Sequence, residues 1–165
     1  MPAIRAAKAL LVAAIAVFAS LVVFGNVTDY NTNFVFVAHV LSMDTIFPFS
    51  TIKYRAIASP QLHHLVYAII IATEAATAVL CWIGAALLAY HLRATHGGFN
   101  RAKTFAIAGL TVGFLLWQVG FMSIAGEWFG MWQSQQWNGI DGAFRIVITI
   151  AAVLIFVAMP DAEVE

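Results

Sequence analysis

The chain has 165 residues, of which 62% are hydrophobic and only 10% are charged. Soluble domains have about 45–50% apolar and about 25% charged residues, so this sequence requires a lipid bilayer to cover its apolar surface. Its 8 basic and 8 acidic side chains balance to zero and form no basic block, which excludes a nucleic-acid partner, and the single Cys81 excludes an intramolecular disulfide.

The first long apolar run, 10–25, follows Arg5 and Lys8. A basic start before an apolar stretch resembles a secretory signal. The run continues through 21–24, beyond the small residues that would mark cleavage, and this favours an uncleaved membrane anchor. We therefore expect a first spanning helix at about 9–26.

Three further apolar runs predict helices long enough to cross a hydrocarbon core of about 30 Å, at 62–90, 104–125 and 141–159. Ser59 and Pro60 provide an N-cap and a favoured first residue for the second helix. Asn138-Gly139 predicts the turn before the fourth helix, and Pro160 predicts its end. The expected fold is all-α, a four-helix transmembrane bundle in one domain, 1–165.

Positive charges predict the orientation, because Lys and Arg are enriched in cytoplasmic loops. Basic residues precede the first helix and lie within 91–103, whereas 126–140 contains none. Both termini are therefore predicted to be cytoplasmic, in a bacterial inner membrane, with 27–61 and 126–140 outside. Lys53 and Arg55, on the outer side, run against this rule.

The outer segment 27–61 contains an apolar stretch, 34–43, that Asn33 can cap as a helix. About ten residues are too few to span a bilayer, so we expect a short interfacial helix. The sequence Phe-Pro-Phe-Ser at 47–50 then predicts a turn, because Pro fixes φ and lacks an N–H. Together these features predict a cap over the outer face of the bundle.

A polar stripe on the second helix is the strongest candidate site. Within about 40° of one helix face lie His63, Tyr67, Glu74 and Cys81, with Thr77 at the edge. Glu74 is the important member, because a carboxylate near mid-membrane costs several kcal/mol unless it is paired, wetted or protonated. Its candidate partners are Arg145, Gln118 or a hydroxyl. Glu74 would either only lock helices together or take part in proton or ligand binding.

Histidine and acidic residues suggest a second candidate site on the outer face, built from His39, Met43, Asp44, His63 and His64. Such ligands suit copper or zinc, and two axial histidines suit a haem. The spacing matches no strong signature, since HExxH and CxxCH are absent and His63 and His64 diverge by about 100° on a helix. The simpler interpretation is interfacial histidines bonded to backbone and water, so no cofactor is strongly implied.

The segment 126–137 contains 3 of the 5 tryptophans. Trp128 and Trp132, four residues apart, would share a helix face, and indole prefers the headgroup region. We expect an interfacial anchoring helix; the alternative is an aromatic surface that holds a quinone, a lipid or a partner subunit.

On the third helix, Gly109 and Gly113 form GxxxG, and the small residues Ala106 and Gly120 continue the same face. This pattern favours close packing inside the bundle over an oligomer contact.

Two outer stretches carry a family resemblance. They are Met-Asp-Thr-Ile-Phe-Pro at 43–48 with Tyr-Arg-Ala-Ile at 54–57, and Gly-Glu-Trp-Phe at 126–129 with Met-Trp-Gln-Ser at 131–134, Trp-Asn-Gly at 137–139 and Phe-Arg at 144–145. With the four-helix layout they resemble the DUF2165 family of bacterial small integral membrane proteins, over nearly the whole chain. The resemblance implies an inner-membrane location. It does not indicate any particular activity, because the family's function is unknown. Without giving them roles, it singles out Asp44, Arg55, Glu127, Trp128, Trp132, Asn138 and Arg145. Trp137 belongs to the same outer-cap motif.

Charge balance between the two outer stretches suggests that Asp44 or Glu127 pairs with Arg55 or Arg145. Losing one partner of a buried pair costs about 3–5 kcal/mol. Such pairs would tie the two stretches into a single cap.

The sequence favours a non-enzymatic accessory or structural subunit of a larger inner-membrane assembly, such as a respiratory one. It lacks a G-x-S-x-G elbow and a phosphate-binding G-x-x-x-x-G-K loop. The bilayer is one partner, and a membrane protein or a second copy of the chain is expected as another. An alternative is a module that binds a metal, haem, quinone or lipid near His39, His63, His64 and Glu74. A weaker alternative is proton or ion conduction past Glu74.

Overall fold

Six α-helices and one wider helical segment account for most of residues 2–161, the range that the computed structural model describes, and this range contains no β-strand. Met1 and residues 162–165, which belong to the predicted domain 1–165, lie outside the described range. The helices are α1 Pro2–Thr28, α2 Tyr30–Ser42, α3 Pro60–Tyr90, α4 His96–Ala102, α5 Thr104–Leu115 and α6 Ile140–Ala158. Leu116–Trp128 continues α5 as a π-helix, here called the π segment, and short 3₁₀ turns form at Lys53–Arg55 and Met131–Gln133.

Within residues 2–161, four helical stretches are long and apolar enough to cross a membrane, namely α1, α3, α6 and the run from α4 to the end of the π segment. This confirms the predicted all-α fold with four membrane-spanning helices. Ser59 caps α3 as expected, since its Oγ accepts a hydrogen bond from the Leu62 N–H at 3.4 Å. Asn138 Oδ1 accepts from the Ile140 N–H at 3.1 Å at the start of α6.

The interfacial helix begins earlier than the sequence suggests. α2 follows α1 after Asp29 alone, and Asn33 lies within its first turn, where the side-chain amide donates to the Asp29 carbonyl at 3.4 Å. The expectation that Asn33 is the N-cap is therefore wrong. The polar residues of 26–33 resemble a loop in sequence, but Thr28 remains helical by donating to the Phe24 carbonyl at 2.7 Å.

Small residues bring α5 against α3. A methyl group built on Gly109 would lie 2.8 Å from Cys81 Sγ, and one on Gly113 would lie 2.9 Å from Thr77 Cγ2. Both distances are too short for real carbon contacts, so glycine is required at each position. The prediction that GxxxG serves internal packing is confirmed for these two residues.

The π segment forms the second half of the third spanning helix. Its hydrogen bonds reach back five residues, as in the Phe129 N–H to Ile124 O bond of 3.0 Å. Wider helices of this kind are rare and are usually single turns found at functional sites. The segment packs mainly on α6 and separates from α3. α3 packs closely on α5, whereas a wedge separates α3 from the π segment.

The two ends of the described chain meet at one end of the bundle. Arg5 donates through Nε to Asp161 Oδ2 at 2.9 Å and through Nη1 to the carbonyls of Leu92 and Ala94. The Arg5 guanidinium and His96 beside Asp161 hold the pKa of that carboxyl below its ordinary value, against the opposing effect of burial. In sequence Arg5 looked like an orientation signal only, and a contact across 156 positions leaves no local trace.

Candidate functional site

The two outer stretches form one cap. Thr45 Oγ1 lies 2.8 Å from Ser134 Oγ, and Arg55 Nη1 donates to the Trp128 carbonyl at 3.1 Å. The His39 ring stacks on Trp137 with centroids 4.5 Å apart. The predicted cap over the bundle is therefore present.

The ion pairs expected within this cap are wrong. Asp44 Oδ2 lies 2.7 Å from His39 Nδ1, and none of the ion pairs found among residues 2–161 joins Arg55 or Arg145 to Asp44 or Glu127. Arg55 is held instead by aromatic faces and a carbonyl. Charge balance could not reveal this, because a ring and a backbone oxygen satisfy a guanidinium without any acidic residue.

The histidines have separate partners. His63 Nε2 lies 2.6 Å from the Ile57 carbonyl, and His64 Nδ1 lies 2.8 Å from the Tyr30 hydroxyl. His39 is engaged with Asp44. Within the described part of the chain no three His, Cys, Asp or Glu residues are grouped for a metal ion. Each of the three histidines is thus bonded to a different protein group, and the metal and haem alternatives stay predictions.

The expected tryptophan helix is broken. Trp128 is the last residue of the π segment, and Gly130, at φ +64°, ends it in a left-handed conformation that favours glycine. Trp132 lies in the 3₁₀ turn beyond it, so the two rings do not share a helix face. Both are about half exposed, at 53% and 50%, which fits the headgroup region predicted for them.

The polar stripe of α3 faces the bundle interior, as its position predicts. Its members are all buried: His63, Tyr67, Glu74, Thr77 and Cys81. Glu74 Oε2 accepts a hydrogen bond from Asn26 Nδ2 at 2.7 Å, and the Tyr67 hydroxyl donates to Asn26 Oδ1 at 3.2 Å. Glu74 thus links α3 to α1 through an amide.

The partners expected for Glu74 are wrong, since its hydrogen bond comes from the Asn26 amide and not from Gln118, a hydroxyl or Arg145, which is exposed. The sequence pattern places Asn26 at the edge of the first helix and does not predict this contact. The signal for it is an amide at the end of an apolar run. Beside Glu74 is a cavity of only about 10 Å³, lined by side chains such as Phe18, Trp117 and Ile150. That volume holds at most about one water.

A larger, wholly apolar cleft occupies the wedge between α3 and the π segment, beneath α2. Its volume is about 320 Å³. Its walls include Val66 and Ile70 of α3, Leu116 and Gly120 of the π segment, and Val37 of α2. Gly120, the last member of the predicted small-residue face, therefore lines the cleft and does not pack against another helix. Sequence reasoning missed the cleft, because it depends on where the π segment leaves α3.

The cleft is open on the side that faces lipid. Ile69 on α3 and Ile124 on the π segment both line it, and they are 56% and 48% exposed. At its capped end lie Ile57 and Phe129. Arg55 precedes Ile57 by two positions and is bonded to Trp128, the neighbour of Phe129. Arg55 thus lies beside two wall residues at the capped end of the cleft, although it does not itself line the cleft.

Comparison with known proteins gives one match. The model of a family described as predicted small integral membrane protein (DUF2165) matches residues 4–160. No curated protein and no solved structure matches the chain. Because the match covers nearly the whole sequence, and because the four spanning helices fit the description, this chain belongs to the DUF2165 family of small integral membrane proteins.

Proposed function

We propose that this chain is a non-catalytic membrane protein that holds the apolar chain of a lipid-like molecule in the cleft between α3 and the π segment. The observation that carries the proposal is the cleft itself, whose lining atoms are all apolar. Its volume of about 320 Å³ lies within the range of about 300–1,000 Å³ that is typical of ligand sites. Its half-exposed walls give a chain lateral entry from the bilayer.

The proposed location is the inner membrane, with both termini in the cytoplasm. Arg93 and Arg101 are exposed near the joined chain ends, where Arg5, Lys8 and Lys103 also lie. The capped end has Lys53, Arg55 and Arg145. Five basic residues against three follow the rule that positive charge stays inside. The cleft then opens to the outer leaflet.

A cleft-filling substitution tests the function. Gly120→Leu places a side chain in the cleft, where a methyl at this position would approach only Leu116, at 3.7 Å. Gly142→Leu is the matched control, because nothing lies within 4 Å of a methyl there. Native mass spectrometry after mild solubilisation should show one retained lipid on the unaltered protein and on Gly142→Leu, and loss of that lipid from Gly120→Leu. Equal retention by all three proteins would refute the proposal.

An accessory role in a larger inner-membrane assembly, such as a respiratory one, is a second candidate. The observation that favours it is the exposed aromatic surface of the cap, where Phe49 and Tyr54 are 81% and 78% exposed. Aromatic residues are enriched at protein–protein interfaces. Gentle extraction from the native membrane followed by mass spectrometry should recover a stoichiometric partner, and recovery of the chain alone would count against this role.

A further inference from the structure

We propose that the molecule held in the cleft is an anionic, phosphate-bearing lipid, and that Arg55 binds its head group. This inference rests on the proposed function, because it concerns the polar end of the same ligand. It adds the class of head group, which the apolar cleft cannot select.

The position of Arg55 is the first argument. Its hydrogen bond to the Trp128 carbonyl, 3.1 Å long, joins the 3₁₀ turn at Lys53–Arg55 to the end of the π segment. Ile57, two positions after Arg55, and Phe129, which follows Trp128, both belong to the cleft wall. A chain that fills the cleft would therefore bring its head group to the level of Arg55.

The unused hydrogen-bonding capacity of Arg55 is the second argument. A guanidinium has five N–H donors. Nε donates to the Tyr54 hydroxyl at 3.3 Å and Nη1 to the Trp128 carbonyl, while Nη2 has no protein acceptor among residues 2–161. Arg binds phosphate in a planar, two-point geometry that Lys does not provide.

The rings around Arg55 orient it without neutralising it. The guanidinium carbon lies 4.5 Å from the Trp128 ring centroid and 5.4 Å from that of Tyr54. No carboxylate of the described chain lies within ion-pair distance. A positive charge held in place at the headgroup level, with no acidic partner, is complementary to an anionic head group and not to a neutral one.

The remaining charges of the cap make the effect local. Lys53 is exposed two positions away and adds to the attraction, whereas exposed Glu127 opposes it. Asp44 is engaged with His39. The preference for an anion should therefore depend on Arg55 and should increase in Glu127→Gln.

The test is a lipid titration followed by native mass spectrometry in a mild neutral detergent. Phosphatidylglycerol and phosphatidylcholine of identical chains are titrated separately, and inorganic phosphate is added as a competitor. We expect roughly tenfold tighter binding of phosphatidylglycerol, the size of one charge-assisted contact. At an ionic strength matched with chloride, free phosphate should compete no more than the chloride control, because it has no chain for the cleft; stronger competition by phosphate would contradict a lipid ligand.

Variants locate the preference. Arg55→Gln should bind both lipids with equal, weaker affinity, because it lacks the charge that distinguishes an anionic head group from a zwitterionic one, and its retained phosphatidylcholine binding also shows that it is folded. Arg145→Gln, which removes another exposed arginine from the capped end, should keep the tenfold preference. On the unaltered protein the preference should decrease as salt is raised, a readout that needs no variant.

The outcomes separate the two proposals. If the unaltered protein binds neither lipid, the proposed function fails and this inference fails with it. If it binds both equally, or if the preference survives in Arg55→Gln or resists salt, the cleft function stands and the role of Arg55 is refuted.

Discussion

At the scale of single residues, buried ionisable side chains such as Arg5 and Glu74 are stabilised by specific hydrogen-bond partners. Glu74 shows it best, because sequence position predicted correctly that it faces the bundle but could not identify its partner. The hydrogen bond from Asn26 comes from another helix. Periodicity gives the face of one helix, and only the packed structure gives the residue opposite.

Glu74→Gln should change stability by less than about 1 kcal/mol, because Gln retains an oxygen acceptor for the Asn26 amide. Glu74→Ala should cost about 2–4 kcal/mol, because it leaves that amide without a partner and opens a cavity. Thermal unfolding in detergent measures both. Proton flux into proteoliposomes should be the same for Glu74→Gln and the unaltered protein, and a lower flux would instead support conduction past Glu74.

Asp161 is the acidic partner of a buried Arg5. Asp161→Asn leaves that guanidinium uncompensated and should cost about 3–5 kcal/mol at neutral pH. The pKa of Asp161 is lower in the folded chain than its ordinary value of about 4, so its contribution is complete above about pH 4. It is lost as pH falls through the folded value.

In a His96→Gln background, which removes the imidazole bonded to Asp161 Oδ2, the difference in melting temperature between the chain that keeps Asp161 and Asp161→Asn should be constant from neutral pH down to about pH 4 and then shrink in more acidic buffer. Using the difference cancels the titration of the other carboxylates. A difference that grows on acidification has the wrong sign for this linkage.

At the scale of helices, the sequence predicted existence and type well because hydrophobic runs and caps are local signals. Ser59-Pro60 and Asn138-Gly139 mark the starts of α3 and α6 as expected. The π segment was not predictable, since its composition would equally suit an α-helix and its wider turns depend on neighbours. The cleft lies along this segment, so the candidate ligand site was not predictable either.

The contact between α3 and α5 gives a prediction for whole elements. Gly113→Val should destabilise the bundle by about 1–3 kcal/mol, because its added atoms would overlap Thr77. Gly25→Ala is the control; nothing lies within 4 Å of a methyl there, and Ala favours a helix over Gly by about 1 kcal/mol. Melting in detergent should rank Gly25→Ala at or above the unaltered protein, and comparable losses in both would show that the contact is not tight.

For the molecule as a whole, joining of the chain ends through Arg5 and Asp161 requires both ends to lie on one side of the membrane. Phosphatase fusions test the proposed orientation. A fusion after Ser50 should be active and one after Asp161 inactive, because the enzyme folds only outside the cytoplasm. The reverse pattern would place the cleft in the inner leaflet and leave the fold unchanged.

The cleft between α3 and the π segment as a lipid-chain site is the central claim, and photo-crosslinking tests it most directly. The protein is reconstituted with phosphatidylglycerol that has a diazirine at mid-chain, illuminated, digested and mapped by mass spectrometry. Label should concentrate on 66–70 and 116–125, the walls of the cleft, and should decrease there in Gly120→Leu. Label spread evenly over the exposed faces of α1 and α6 would contradict the claim.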